Sequence, residues 1–306
     1  MKGLTNVGNT CYLNSALQCL LYCPPLTNFI LSGLAEESMN KKRINACALA
    51  TEYISLTKTY WTQPGPSVLD TSALWAAFTK LSKQFANSLP HDAHEAMALL
   101  LKHLHDALGK SPRVHAAPAW QHVDRDAWEA HCARDGYSML TDIFQGQMEC
   151  TVTGPAGFVS VTYEHFTGLT LDIGASASVQ QALNRHLQPQ DIDGFGLPSG
   201  EVCTVTQGKA IRYAPLVLVV HLKRFGRDGA KVDRFVDYST TLDVAYAREK
   251  ATYTLFAACF HRGGHYVSAC EVHSRWFLLD DAECAPLEVN SVVNKDAYML
   301  VYKKAV

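Results

Sequence analysis

Near residue 138 the hydrophobic period of this chain changes, and that change limits the folds open to it. Upstream, apolar residues recur at three- and four-residue steps through residues 47–60, 72–85 and 92–108, with QPGPS and NSLP as breaks. That spacing predicts amphipathic helices. Downstream come short alternating or β-branched runs between Gly and Asp turns: FVSVTYEHF, PLVLVVHLKRF, YTLFAACF, HYVSACEV, RWFLLDD and AYMLVYK, each reading as a strand. One helical piece, residues 178–187, interrupts them. Helices first and mostly antiparallel strands afterwards predict an α+β fold, not a βαβ repeat. KSPRVHAAPAW (110–120) and QDIDGFGLPSGE (190–201) are expected to be flexible. No internal repeat or low-complexity tract stands out.

Composition narrows the function classes. A chain of 306 residues, 48% hydrophobic and 18% charged, buries one large core or two modest ones. A net charge of −2 gives no reason to expect nucleic acid or an anionic membrane as partner, and LKRF at 222–225 is too small a basic patch to change that. No apolar run approaches the roughly 20 residues of a membrane span. The N-terminus, MKGLTNVGNT, lacks an apolar signal region, and the ten cysteines form no compact framework. The expectation is a monomer with free thiols in a reducing interior, cytoplasmic or nuclear.

The stretch GLTNVGNTCYLNSALQCLLY places a cysteine where a polar loop becomes a helix. Leu13, Ala16, Leu17, Leu20 and Leu21 form the helical stripe, Asn9 and Thr10 are N-cap candidates, and Pro24-Pro25 stops the helix. Cys11 then lies in the first turn, beside free backbone N–H groups and the positive end of the helix dipole, where a lowered thiol pKa is expected. A first-turn cysteine alone is more often just a small buried residue. A nucleophile also needs a base and an orienting group.

His265 follows Gly263 and Gly264 at the start of a strand pattern, and Asp280 and Asp281 end the next strand. In a hairpin, an aspartate comes within reach of the imidazole, fixing its tautomer in a Cys-His-Asp arrangement. Asn6, on the loop before Cys11, is positioned to donate to an oxyanion beside the Cys11 backbone N–H. Separately, His265 reads as an ordinary strand histidine, the aspartates as a solvated turn and Asn6 as a turn residue. Together they read as a site.

Those segments resemble the ubiquitin-specific proteases, papain-like deubiquitinating enzymes with thumb, palm and fingers. GLTNVGNTCYLNSALQ resembles the family's cysteine box, GGHYVSAC with RWFLLDDAE and AYMLVY its histidine box, and PHDAHEA its QQDAQEF segment. The resemblance implies one catalytic domain over 1–306. Its thumb would be about 1–137, its fingers about 143–212, and its palm about 138–142 with 213–306. It implies Cys11 as nucleophile, His265 as base, Asp280 as third member, Asp281 as supporting acid and Asn6 in the oxyanion hole. Asp92, Glu95, Gly264 and Tyr266 would contact the ubiquitin tail. The implied partners are ubiquitin and ubiquitinated proteins, and no cofactor is expected.

The pattern departs from the family at the fingers, where two CxxC pairs are usual. CTVT at 150–153 and at 203–206 keeps only Cys150 and Cys203, so no structural zinc is expected, nor a disulfide between them in a reducing compartment. Packing of Phe158, Val161, Phe166, Leu169 and Leu171 is expected to replace the metal. Pro90 and Ala96 stand where the tail segment usually carries Gln and Phe, and the turn before His265 is short. With a short leader before the cysteine box, no separate targeting domain is expected. His91, His94, His103 and His105 read as a helix face, not a metal site. A protease for a SUMO- or NEDD8-type modifier and a non-catalytic ubiquitin-binding module remain as alternatives. A papain-like amidase for small molecules has only the triad in its favour.

Overall fold

The computed structural model describes residues 1–65, 67–109, 123–226, 229–247 and 249–305, and the segment 110–120 lies outside them. Numbered in chain order, the first half holds β1 (Gly3–Leu4), α1 (Cys11–Leu21), α2 (Pro24–Leu31), α3 (Leu34–Glu37) and α4 (Ile44–Thr62). β2 (Val68–Leu69), α5 (Ser72–Leu81), α6 (Ala93–Leu108), α7 (Arg125–Asp135) and α8 (Met139–Phe144) follow. Pro24 both ends α1 and opens α2, where its missing N–H and fixed φ fit a first helical position. All 11 residues of α1 are buried, because α6 packs on one side of it and a strand of the main sheet on the other. Only its N-terminus approaches solvent.

Strand structure begins at β3 (Gly146–Thr153), later than the texture change predicts. α8 intervenes, capped by Ser138, whose Oγ accepts from Leu140 N–H at 3.2 Å. The sequence reading also missed α7. Its buried side chains are Trp128, His131 and Cys132, too few to make an apolar stripe, and Asp124 caps it by accepting from Ala127 N–H at 2.9 Å.

Two sheets share the second half. The four-stranded one orders β4 (Val159–Phe166), β3, β7 (Val202–Tyr213) and β6 (Gln190–Gly196). The eight-stranded one contains β5 (Leu169–Asp172), β8 (Val217–Lys223), β9 (Thr241–Tyr246), β10 (Glu249–Arg262) and β11 (His265–Val272). It is completed by β12 (Arg275–Asp280), β13 (Glu283–Leu287) and β14 (Ala297–Lys304), and every pairing in it is antiparallel except β5 with β8. α9 (Val179–Leu187) packs on β5, and α10 (Val289–Val292) follows β13. One core lies between the helices and the sheet; the other fills the sheet's far face and the base of the four-stranded sheet.

Three expectations need correction here. The segment 190–201 is not a loop throughout, because β6 pairs with β7 while Thr204 and Thr206 donate to Asp193 and Asp191, both at 2.7 Å. Leu169 and Leu171 belong to the eight-stranded sheet, and Val161 is 48% exposed. The four-stranded sheet instead buries Met148, Cys150, Val205 and Ile211.

The register also separates the two cysteines. Cys150 faces Lys209, and Cys203 lies six residues further along β7, about 20 Å at strand rise. They share neither an ion nor a disulfide, so the thiols here do not fit a four-thiolate zinc site.

Candidate active site

The loop before α1 is wound around Asn6. Its Oδ1 accepts from Gly8 N–H at 3.1 Å and from Thr10 N–H at 3.0 Å. Thr10 occupies the N-cap position, but its hydroxyl accepts from Val7 N–H at 3.0 Å and makes no cap bond into the helix. Asn9 takes a left-handed φ of 53° and donates Nδ2 to Ser88 O at 2.6 Å, tying the loop to the segment before α6. With the Asn6 oxygen committed to two N–H donors, its amide nitrogen must point away from the loop. There it donates to Asp281 Oδ2 at 2.7 Å.

The histidine sits on a two-residue hairpin turn. Arg262 pairs with His265, and Gly263 and Gly264 take φ of 54° and 86°, the left-handed pair that such a turn requires. Strand β12 returns beside β11 and ends at Asp280, whose Oδ1 lies 2.7 Å from His265 Nε2. That leaves Nδ1 as the ring nitrogen open for proton transfer. Asp281 turns the other way with φ 48°, and both its oxygens are occupied, one by Asn6 and one by Asn14 Nδ2 at 2.7 Å. The two adjacent acids thus serve different partners.

Cys11 lies at the meeting point, 7% exposed. The backbone N–H of Tyr266, next to His265, is directed at its sulfur, as are those of Tyr12 and Cys11 itself. These donors favour the thiolate, but burial and the nearby Asp281 charge outweigh them, and the Cys11 pKa is raised. The sequence reading expected the reverse. A helix terminus is a local signal, whereas the covering strand and Asp281 arrive from more than 250 residues away. The raised pKa favours the thiol form of Cys11. Its alkylation by iodoacetamide, followed by peptide mass, is expected to be slow at about pH 7.5 and to climb roughly tenfold per pH unit to above the ordinary thiol range. A rate already level at about pH 7 would contradict this.

Of the other residues singled out, Asp92, Glu95 and Tyr266 lie around the first turn of α6, and Gly264 is in the β10–β11 turn. Asp92 is its N-cap: Oδ1 accepts from His94 and Glu95 N–H at 2.7 and 3.0 Å, and Oδ2 accepts from the Tyr298 hydroxyl. Tyr266 is buried against Tyr298, with ring centroids 5.4 Å apart, and its hydroxyl takes the Ala93 N–H. Glu95 is exposed, as is Gly264. Asn14 and Tyr298 escaped the sequence reading. A polar residue one turn after Cys11, on a helix that is buried along its whole length, was a usable signal for Asn14. Nothing local marks Tyr298.

The helix-face histidines find separate partners: His103 meets Ser82 Oγ, His105 meets Ser138 Oγ, both at 2.8 Å, and His94 stacks on His221. Among the described residues, the one group of three close metal-ligand types is His265, Asp280 and Asp281, whose ligand atoms lie within 4.8 Å of one another. In that group His265 Nε2 and Asp280 Oδ1 meet each other, and both Asp281 oxygens are held by asparagines.

A cysteine at a buried helix N-terminus, packed against the antiparallel strand that opens with a histidine, is the papain-like architecture. The ubiquitin carboxyl-terminal hydrolase family model matches residues 2–302. The chain is 31% identical to human ubiquitin carboxyl-terminal hydrolase 17-like protein 15 over 98% of its own length and 53% of that protein's. It spans about half the length of the curated relatives it matches. Among solved structures, it superposes over its full length on 69% of a chain from the SAGA DUB module of Ubp8, Sgf11, Sus1 and Sgf73 bound to monoubiquitin, with TM-score 0.80 and 22% identity. The same module bound to ubiquitin aldehyde gives TM-score 0.80 at 20% identity, covering 100% of this chain and 70% of that one. The chain belongs to the ubiquitin carboxyl-terminal hydrolase family.

Proposed function

We propose that this protein is a deubiquitinating thiol hydrolase that cleaves the bond after the C-terminal glycine of ubiquitin. The observation that carries the reading is the Asp280–His265 hydrogen bond at 2.7 Å through Nε2, beside a Cys11 sulfur to which the adjoining Tyr266 N–H is directed.

In this mechanism His265 Nδ1 takes the Cys11 proton as the sulfur attacks the glycine carbonyl, and Asp280 stabilises the imidazolium. Proton transfer during attack suits a thiol with a raised pKa. The oxyanion receives the Cys11 N–H and the second N–H of Asn6, whose first is held by Asp281. His265 then protonates the leaving lysine amine, leaving a thioester, and activates the water that releases ubiquitin. We assign the ubiquitin tail to Glu95, Asp92 and Gly264, because an arginine-containing tail ending in Gly-Gly suits acidic partners and open backbone. Cytoplasm or nucleus suits ten free thiols.

Incubation with ubiquitin carrying a C-terminal electrophile, beside SUMO and NEDD8 versions, tests the reading. A covalent adduct with ubiquitin, absent in Cys11→Ala, is the expected result. An adduct only with another modifier transfers the mechanism to that substrate. Binding of ubiquitin without any adduct makes the chain a binding module.

A further inference from the structure

Two imidazoles lie face to face beside the acids of α6. His94, in the first turn, stacks on His221 of β8 with centroids 4.1 Å apart and planes 10° apart. His221 Nδ1 lies 3.3 Å from Thr170 Oγ1, and its Nε2 is buried without a hydrogen-bond partner. Behind the pair, Tyr298 meets His221 edge-on at 4.9 Å and gives its hydroxyl to Asp92. Glu95 forms no ion pair among the described residues.

We propose that the His94–His221 stack makes capture of a cationic substrate tail pH-dependent, by accepting one proton beside Asp92 and Glu95. The inference rests on the ubiquitin reading above. With both rings neutral, the exposed Glu95 carboxylate and the net negative charge of the hydrogen-bonded Asp92 act on an arginine-bearing tail with no cation between them. One added proton places a cation among them and removes part of that attraction. A second proton is excluded, because two imidazolium rings at this separation repel.

The surroundings select His94 as the site. Burial lowers both pKa values, and His221 is pushed down to about 4, with Lys223 on its own strand opposing its charge. Asp92 and Glu95 on α6 favour protonation of His94. From β14 the neighbour is the neutral Tyr298 hydroxyl. On β10, His261 touches Tyr298 at 6.1 Å and is itself lowered by burial and by Lys231. Burial therefore biases both rings toward the neutral form, and acidification is what adds a proton to the stack.

The test measures binding without chemistry. Labelled ubiquitin is titrated by fluorescence anisotropy against Cys11→Ala protein between about pH 8 and about pH 5. Kd is expected to rise about fivefold over that range, and by less than about twofold when His94→Gln is added. Glu95→Gln, which leaves the stack intact, is expected to weaken binding at about pH 8 and to shrink the pH effect. Parallel pH profiles with and without His94→Gln overturn this inference alone. No ubiquitin binding at any pH overturns the ubiquitin reading itself.

Discussion

Asp280→Asn is expected to lower turnover of a ubiquitin substrate by about a thousandfold, and Asp281→Asn by about a hundredfold, for different reasons. Asp280 accepts from His265 Nε2, so asparagine there can offer an N–H and trap the ring with its proton on the wrong nitrogen. Asp281 does not orient the histidine. It anchors the Asn6 amide, itself held by Asn14, so its loss frees the amide that the proposed mechanism uses as oxyanion donor.

Cys11 separates the two mechanisms. The Asp281 charge raises its pKa, so Asp281→Asn lowers that pKa and speeds iodoacetamide modification at about pH 7.5 by roughly threefold. Asp280 bonds the imidazole instead, and its replacement is expected to leave alkylation nearly unchanged. Asparagine also tolerates the left-handed φ of 48° at position 281, so the fold is retained. Equal alkylation rates in the two variants would sink this division of roles.

Gly3→Ala is expected to destabilise the protein by about 3 kcal/mol in denaturant unfolding and to reduce turnover with it. A Cβ at Gly3 would lie 2.2 Å from Ala282 O, 2.4 Å from its C and 2.6 Å from its Cα. All three are backbone, so no side chain can swing aside. Gly3 N–H to Ser67 O at 2.6 Å ties the opening strand to the segment before β2, and Leu4 N–H to Asp281 O at 2.7 Å holds it against the turn that carries Asp281. Pushing that turn outward withdraws the carboxylate from Asn6. A cost below about 1 kcal/mol would show that the turn yields freely.

Much of the fold was legible because its signals are local. The stripe after Cys11 and the strands of β8, β10, β11, β12 and β14 carry their own periods, and the Gly263-Gly264 turn its own geometry. α7 was missed because it buries few side chains, and β6 because its Asp and Gly residues imitate a loop until Thr204 and Thr206 occupy the aspartates.

The same division runs through the candidate site. The sequence by itself determined which residue types stand at positions 6, 11, 265, 280 and 281, and that a loop, a helix start and a hairpin carry them. Only the tertiary structure decided that Asp280 takes the histidine and Asp281 the two asparagines, because the choice depends on which way a strand end turns. It also reversed the expected shift of Cys11. Helix-terminus donors act over one turn of chain, whereas burial and the Asp281 charge come from strands remote in sequence, and at this sulfur they outweigh the donors.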